Sequence, residues 1–324
     1  MKISKEHIYI IILLILINGC TPHKKPDTKV QDSSKYDSPT MIGFGTKPAV
    51  FGGIDDGTLT LVAWNLAGFN SIPDDRFYKL VDAIIEIDPD VIALVEVNYS
   101  YVAPALAYEL SNRDANMCFE RKLVRQGAKQ AIAIIHRCEV DVLNPELVAG
   151  SDLNRQGLRE ALKVDVVAGK FDFALITIHQ KAGRSNSSRN DRTEQNKVIS
   201  SYIDSNILSV SAERDTLIVG DYNMIPGEDD ENFDALNGTK SLIYISTPLA
   251  ESGGFSHIRK YGRPGNFLDG FAISEDTVNE YIENSISVLS LNESMGISLA
   301  AFRNEVSDHL PLVAKFKTTL PDDD

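Results

Sequence analysis

From Thr58 to about Thr319 the sequence alternates short apolar runs with turn signals, and no internal repeat or linker-like break interrupts it. This alternation favours one continuous domain of about 260 residues, a length that large sandwiches and α/β folds reach as single domains. A domain of this size is long enough to bury a sizeable core. The pattern therefore excludes a disordered or collagen-like chain.

The N-terminus predicts export. Lys2 and Lys5 precede an unbroken apolar run, Ile8 to Ile17, which is too short to span a bilayer and typical of a signal peptide. Asn18, a glycine and Cys20 follow, which resembles the lipobox of bacterial lipoproteins, although Asn18 is unusual there. An ordinary signal peptide with a nearby cysteine is the alternative. We expect a protein of the bacterial cell envelope, held at the outer membrane or cell surface by lipid on Cys20, or released.

These features divide the chain into four predicted parts. Residues 1–19 form a signal peptide, and residues 20–57 a lipidated, flexible tether too polar to offset its ordering entropy by burial. Residues 58–319 form the folded domain, and residues 320–324 an acidic tail.

The charge and the cysteine content exclude several classes of protein. The sequence has 32 Lys and Arg residues and 46 Asp and Glu residues, which gives a net charge of -14. Binding to nucleic acid or to an anionic membrane that is driven by net charge is therefore not expected. A phosphate substrate remains open, because a bound divalent cation reverses the sign of a local site. With three cysteines and no C-x-x-C, neither a disulfide scaffold nor a cysteine zinc site is expected.

Apolar periodicity predicts the main elements of the domain. Helices are expected at Asp74–Ile87, Tyr101–Leu110 and about Asn190–Leu208, among strands that include Leu158–Val167 and Tyr281–Leu289. Hairpin-rich segments with a few helices between them favour two packed sheets flanked by helices.

Polar residues fall at the ends of five apolar strands: Asn65, Glu96, His179, Asp221 with Asn223, and the Asp308-His309 pair just before a strand. Taken singly, each has an ordinary explanation as a turn residue, a helix cap or a structural histidine. Strand ends that converge on one edge of a sandwich form a rigid rim for a site, so the ordered set favours a functional site.

Five short motifs contain these residues, and a sixth contains Asp269. In chain order they are Trp64-Asn65, Leu94-Val95-Glu96-Val97, Ile178-His179, Gly220-Asp221-Tyr222-Asn223, Leu268-Asp269-Gly270-Phe271 and Ser307-Asp308-His309. The series resembles the endonuclease/exonuclease/phosphatase superfamily, which includes deoxyribonuclease I, abasic-site endonucleases, bacterial sphingomyelinases and inositol polyphosphate phosphatases. The motifs span nearly all of residues 58 to 318. The resemblance implies a four-layered α/β-sandwich of two packed, mainly antiparallel sheets flanked by helices, and divalent-metal-dependent cleavage of a phosphate ester.

The residue types suit the metal and phosphate side of that chemistry. Hydrolysis of a phosphodiester requires neutralising a non-bridging oxygen, delivering a water in line and protonating a leaving oxygen. Glu96 and Asp308 offer the hard oxygen ligands that Mg²⁺ prefers, with Mn²⁺ or Ca²⁺ as alternatives. Asn65 and Asn223 supply amides that orient a ligand or donate to phosphate oxygens, and Asn65 is a third candidate metal ligand.

The remaining residues suit proton transfer. Asp221 is a candidate to fix or deprotonate the attacking water, and Asp269 to hold an imidazole in one tautomer, which the family pattern implies is His309. His179 is then the second imidazole, for protonating the leaving group or hydrogen bonding in the transition state. Which imidazole is the acid stays open at this point.

Several basic residues are further candidates for binding phosphate. Arg159 resembles a family position where an arginine on a central strand reaches the scissile phosphate; an exposed arginine on a strand is the alternative. Four more basic residues follow the His179 motif: Lys181, Arg184, Arg189 and Arg192. They either steer phosphate toward the site or belong to an ordinary polar loop.

Departures from the patterns of individual families narrow the range of expected substrates. Gln130 stands where deoxyribonuclease I and its nearest relatives carry a carboxylate, and Met224-Ile225-Pro226 differs from the inositol phosphatases. No pair of Trp or Phe resembles the membrane-entering hairpin of sphingomyelinases. We expect a secreted or surface-anchored nuclease acting on DNA, monomeric and without an inferred protein partner. A phospholipid phosphodiesterase of sphingomyelinase type, another small-molecule phosphodiesterase or phosphatase, and an inactive binding protein are the alternatives.

Two cysteines predict a disulfide. Cys118 and Cys138 fall in consecutive predicted strands and lie directly opposite each other if the hairpin is centred on residue 128. Export supplies the oxidising compartment that the bond needs. The alternative is two unrelated buried thiols.

Overall fold

The computed structural model describes residues 57–69, 74–99, 101–113, 117–122, 131–209, 214–239 and 241–321. All of them lie in one compact unit, Ala49–Asp324. The predicted signal peptide, Cys20, the tether up to residue 56 and Gln130 lie outside the described residues.

Thirteen strands and seven α-helices make up the described part of the domain. The strands are β1 (Thr58–Phe69), β2 (Val91–Val97), β3 (Met117–Lys122), β4 (Ala131–Arg137), β5 (Asp141–Leu147), β6 (Leu162–Ala168), β7 (Phe171–His179), β8 (Thr216–Asp221), β9 (Ile258–Arg259), β10 (Arg263–Pro264), β11 (Asp269–Ile273), β12 (Ser287–Val288) and β13 (Leu312–Lys317). The helices are α1 (Asp75–Ile87), α2 (Val102–Arg113), α3 (Asn186–Ile203), α4 (Asp230–Asn237), α5 (Thr247–Glu251), α6 (Leu291–Ser294) and α7 (Leu299–Glu305). Among these helices, none is long and apolar enough to cross a membrane.

The strands form two large sheets and one small hairpin. The first sheet has the order β12-β13-β1-β2-β4-β3, the second has the order β11-β8-β7-β6-β5, and β9 pairs with β10. Each large sheet contains one parallel pair, β1 with β2 and β7 with β8, and its other pairs are antiparallel.

Alternating side chains explain why the domain has four layers. In β1, Leu61 belongs to the core between the two sheets, whereas Val62 packs with the helices α1, α2 and α7. In β7, Leu175 faces the same central core, and Ile176 packs with α3 on the other side. Because neighbouring side chains of a strand point to opposite faces, each sheet is buried on both faces. The predicted four-layered sandwich is confirmed.

The bounds of the third predicted helix and of the strand predicted at Tyr281–Leu289 differ from the structure. The third helix begins at Asn186 rather than near Asn190, because the Ser185 side chain accepts from Ser188 N and caps a polar first turn that lacks apolar periodicity. The strand predicted at Tyr281–Leu289 is wrong for most of its length, since only Ser287–Val288 pairs as a strand. Asn284, with a φ of 62°, breaks the extended backbone there.

Cys138 forms a disulfide in the structure, but the register of the hairpin differs from the predicted one. The pairing of β3 with β4 places Cys118 opposite His136, so the prediction that residues 118 and 138 lie directly opposite each other is wrong by two positions.

Candidate active site

The two parallel strand pairs bring four of the predicted residues to one edge of the sandwich. Asn65 and Glu96 lie toward the carboxyl ends of β1 and β2, and His179 pairs in register with Asp221 at the ends of β7 and β8. Asn65 Nδ2 donates to Asp221 Oδ2 at 2.9 Å and to Glu96 Oε1 at 3.3 Å. One amide therefore connects carboxylates that come from different sheets.

His179 and Glu96 complete this cluster. His179 Nε2 lies 3.4 Å from Glu96 Oε1 and 3.6 Å from Asp221 Oδ2, and the imidazole is buried. Glu96 has a φ of 61° and sits where the pairing of β2 with β4 becomes irregular. Irregular pairing re-aims side chains at the edges of sheets, which explains how a strand residue turns its carboxylate toward the site.

Two glycines permit the close approach of the strands at this edge. Gly220 has a φ of 126°, and a Cβ added to it would lie 2.2 Å from the carbonyl oxygen of Ile178. A Cβ added to Gly270 would lie 2.7 Å from the ring of Tyr222. Sterics therefore require glycine at both positions, and at Gly220 the backbone conformation requires it as well.

A tight turn follows Asp221. Its Oδ1 accepts from Asn223 N at 2.9 Å, and Asn223 adopts a φ of 50°. Asn223 Nδ2 donates to the carbonyl oxygen of Gln180 at 3.3 Å. This turn holds Asn223 beside the loop that follows His179, where we expect it to help orient a ligand.

Three hydrogen bonds hold His309 in position. Its Nδ1 lies 2.7 Å from Asp269 Oδ2, and both side chains are buried. Its backbone N donates to Ser307 Oγ, and its carbonyl oxygen accepts from Trp64 Nε1 at 2.8 Å. Because Ser307 Oγ also donates to the carbonyl oxygen of Asn65, the His309 turn is attached to the strand that carries the amide of the cluster.

Burial and charge separate the protonation states of the two imidazoles. Burial, together with the positive charges of Arg159 and His309, holds the pKa of His179 well below its usual 6.5. Burial also opposes the charging of His309, but the charge and hydrogen bond of Asp269 outweigh it and raise the pKa of His309 to about 10. Near neutral pH, His179 is neutral and His309 is an imidazolium.

The pKa of Asp221 lies between those of the two imidazoles. Burial raises the pKa of Asp221 to about 7, and the nearby charge of Asp269 acts in the same direction, while the charge of His309 opposes the rise. A carboxylate with a pKa near neutral pH is suited to accept a proton from water.

The same fold occurs in solved structures at low sequence identity. D. rerio TDP2 complexed with single strand DNA product is 18% identical, with a TM-score of 0.60, over 81% of this chain and 100% of that chain. An endonuclease/exonuclease/phosphatase family protein from Bacteroides thetaiotaomicron is 13% identical, with a TM-score of 0.58, over 80% of this chain and 94% of that chain. This chain has the endonuclease/exonuclease/phosphatase fold.

A third structure with this fold is the Neisseria 3′ phosphatase NExo bound to product DNA hairpin. It is 15% identical, with a TM-score of 0.58, over 80% of this chain and 99% of that chain. No protein-family model matches the sequence, and no curated protein matches it. The likeness therefore shows the fold, and the chemistry must be argued from the side chains of this chain.

The donor groups of the site fit a hard divalent cation with few protein ligands. Among the described residues, no group of three or more His, Cys, Asp or Glu side chains is arranged to hold a metal. Mg²⁺ does not require one, because it binds through one or two carboxylates and keeps its waters. The Glu96 side chain is 20% exposed, and that of Asp308 is 26% exposed, with Oδ2 accepting from Arg303. Both carboxylates are thus open to a ligand.

Asn65 is oriented differently from a metal ligand. Its Oδ1 accepts from Ala67 N at 2.8 Å, and its Nδ2 faces the carboxylates of Glu96 and Asp221. In this orientation both Nδ2 hydrogens are directed at carboxylates, which suits holding those carboxylates in place, whereas metal ligation needs the oxygen.

Arg159 lies just before β6 rather than on it, so the prediction that a strand carries it is wrong. Its Nη1 and Nη2 donate to the carbonyl oxygens of Gly157 and Gln180, and its Nε is buried without a hydrogen-bond partner in the described part of the chain. Burial lowers the pKa of Arg159, while the charges of Asp221 and Glu96 oppose the change. The guanidinium therefore acts electrostatically on the cluster.

Most of the basic loop after His179 is structural. Arg192 is buried and donates to Asp229 Oδ1 at 3.0 Å, Arg189 donates to the same oxygen at 2.8 Å, and Arg184 pairs with Glu228. Because carboxylates pair with these three arginines, the structure favours the alternative of an ordinary polar segment over phosphate steering. Lys181 Nζ donates to the carbonyl oxygen of Ala182.

The structure also brings in residues that sequence reasoning missed. Arg76 on α1 donates to the carbonyl oxygens of Leu66 and Val306. Burial lowers the pKa of Arg76, while the charges of Asp74, Asp308 and Glu96 oppose the change, so the guanidinium interacts with the acidic side of the site. The ring of His257 lies 5.2 Å from that of His309. A lone arginine on an amphipathic helix and a lone histidine in a loop carry no sequence signal of a site.

Proposed function

We propose that this protein is a divalent-metal-dependent phosphodiesterase that cleaves nucleic acid, with DNA as its substrate. The observation that carries the proposal is the cross-sheet cluster in which Asn65 joins Glu96 and Asp221 beside a neutral His179. Two of the similar structures, D. rerio TDP2 and the Neisseria 3′ phosphatase NExo, contain DNA, which supports DNA over a lipid as the substrate.

Asp221 serves as the general base. Its pKa of about 7 gives it a substantial ionised fraction at neutral pH and enough basicity to take a proton from the attacking water. Asn65 Nδ2 holds the Asp221 and Glu96 carboxylates in place.

His309 supplies positive charge and a proton. Held by Asp269 through Nδ1, the imidazolium leaves Nε2 as a donor toward a phosphate or leaving-group oxygen. Because His309 carries the proton near neutral pH and His179 does not, we assign proton donation to His309 and hydrogen bonding in the transition state to His179.

Glu96 and Asp308 are the residues that would hold the cation, with Mg²⁺ as the expected ion and Mn²⁺ or Ca²⁺ as alternatives. A bound cation supplies Lewis-acid neutralisation of a non-bridging phosphate oxygen. Arg159 adds a fixed positive charge that interacts with Asp221 and Glu96.

A substrate panel tests the proposal. Purified protein is assayed on double-stranded and single-stranded DNA, RNA, sphingomyelin vesicles and a small phosphodiester, each with Mg²⁺, Mn²⁺, Ca²⁺ or EDTA. We expect metal-dependent cleavage of DNA and its loss in Glu96→Gln. Headgroup release without DNA cleavage would replace the nuclease by a phospholipase, and inactivity on every substrate would favour a binding protein.

We also propose that the domain is exported and anchored by lipid on Cys20, as the N-terminal sequence favours. Expression in a bacterium with radiolabelled palmitate should label the wild-type protein and leave Cys20→Ala unlabelled. Absence of label in the wild type would favour an ordinary signal peptide and a released enzyme.

A further inference from the structure

A cationic pocket opens beside the candidate active site. Its volume is about 440 Å³, and its lining residues are His257, Arg259, Lys260, Tyr261, Arg263 and Arg303. Most of them are basic, in a chain whose net charge is -14. A concentration of positive charge against the overall sign indicates a local anion site.

The pocket shares a wall with the reacting groups. The His257 ring lies 5.2 Å from the ring of His309, and Arg303 Nη2 donates to Asp308 Oδ2 at 3.2 Å. An anionic group bound in the pocket would therefore lie next to a phosphate held at His309. Two adjoining groups of one substrate would have this arrangement.

The hairpin of β9 and β10 forms the outer side of this pocket and is firmly attached to the domain. Arg259 pairs with Arg263 in the register, and Arg259 Nε donates to the carbonyl oxygen of Pro264 at 2.7 Å. At the tip, a Cβ added to Gly262 would lie 2.5 Å from Ala300 N, so the tip packs directly against α7. The hairpin therefore has a defined position relative to the site.

Tyr261 at the tip is exposed in an unusual way. Its residue exposure is 84%, and its φ of 64° is uncommon for a non-glycine residue. The fold thus holds a large aromatic ring away from the core at some cost in backbone energy, a combination that concentrates at ligand sites.

Two cations beside Tyr261 are available to a ligand. Lys260 and Arg263 are exposed, and neither forms an ion pair with a carboxylate in the described ranges. Arg303, by contrast, is engaged by Asp308 and by the carbonyl oxygen of Ile258.

We propose that this pocket binds the nucleotide next to the scissile phosphate in single-stranded nucleic acid. Tyr261 stacks on its base, and Lys260 and Arg263 bind its phosphate. Exposed aromatic rings beside unpaired cations are how proteins bind single strands, because an unpaired base offers a free face, whereas both faces of a base within a duplex are covered by its neighbours. This inference rests on the proposed nuclease function.

The test compares substrates that have and lack a neighbouring nucleotide. Values of kcat/KM are measured for a single-stranded DNA oligonucleotide, for the matched duplex and for methyl para-nitrophenyl phosphate, a small diester with no base. The variants are Tyr261→Ala, Tyr261→Phe and the double variant Lys260→Ala/Arg263→Ala. Two matched controls are Tyr108→Ala, another exposed tyrosine, and Lys170→Ala, which lies at the opposite end of β7 from His179.

Tyr261→Ala should lower the ratio of kcat/KM on the oligonucleotide to kcat/KM on the small diester by at least about fivefold, and Tyr261→Phe should retain it. The double variant should flatten the dependence of log kcat/KM on log salt by about 0.7 for a lost phosphate contact. The controls should leave both quantities at wild-type values.

Other outcomes separate the two proposals. A wild type that is inactive on every phosphodiester overturns the proposed function. An active wild type whose ratio is unchanged by Tyr261→Ala, or changed equally by Tyr108→Ala, overturns the pocket alone. An equal loss on oligonucleotide and duplex overturns its preference for single strands.

Discussion

Replacing Asp269 by Asn tests whether the charge on His309 is held by its partner. The two side chains are buried, and Asp269 Oδ2 lies 2.7 Å from His309 Nδ1. Asn keeps the size and can still accept a hydrogen bond from Nδ1, but it removes the charge that keeps the imidazole protonated. The buried imidazole should then lose its proton at neutral pH.

The size and sign of the effect follow from linkage. The pKa of His309 is raised from 6.5 to about 10 in the folded protein, so its stabilisation is complete below the unfolded pKa and is lost as the pH rises through the folded pKa. The shift corresponds to about 4 kcal/mol at pH 7 and about 1 kcal/mol at pH 9. Asp269 is the largest favourable contributor, so Asp269→Asn should cost about 2 to 4 kcal/mol at pH 7 and about 1 kcal/mol or less at pH 9.

Urea unfolding in EDTA at the two pH values measures this difference. Subtracting the free energy of unfolding of the variant from that of the wild type removes the contributions of groups that titrate identically in both proteins. Asp276→Asn, an exposed aspartate in a surface turn, is the matched control and should show no pH-dependent difference. A destabilisation by Asp269→Asn that is equal at pH 7 and pH 9, or larger at pH 9, would refute the reasoning.

Four further substitutions probe the site. Glu96→Gln should lower kcat by about 100-fold or more while leaving the urea midpoint near wild type, because it removes a ligand charge and keeps the shape; steady-state kinetics and unfolding together decide it. His179→Ala and His309→Ala should each be severely impaired, and the double variant should be far less impaired than the product of the two, since both act on one transition state; additive losses would contradict this. Gly220→Ala should destabilise the protein by about 3 kcal/mol, because its Cβ meets the Ile178 carbonyl oxygen at a positive φ, and a folded variant with full activity would show that the strands do not need this approach.

The residues at the strand ends could be predicted from sequence because their signal is local. A buried strand alternates with period two, and a polar residue at its end stands out against that pattern, as His179 does after the apolar run of β7. Two such ends meet when their strands are parallel neighbours, which is why His179 lies level with Asp221. The motifs then supplied the order of the set.

The remaining parts of the site depend on tertiary packing and leave no local trace. Arg192 looks like a surface cation in a polar segment, yet it is 1% exposed because Asp229 and the backbone of the preceding loop satisfy it. Tyr261 and Arg263 belong to a hairpin whose two strands have two residues each, too few to show a periodic pattern. Their role becomes visible only when the tip is placed against α7.

The geometry of the site makes catalysis dependent on the core between the sheets. Asn65 and Glu96 come from the first sheet, whereas His179 and Asp221 come from the second, and the 2.9 Å bond from Asn65 to Asp221 crosses between them. The spacing of the sheets is set by the apolar side chains packed between them, among which is Leu217 of β8, four residues before Asp221. A displacement of 1 Å at reacting groups costs about 100-fold in rate, so a cavity in this core that lets the sheets shift should reduce turnover more than its cost in stability alone explains.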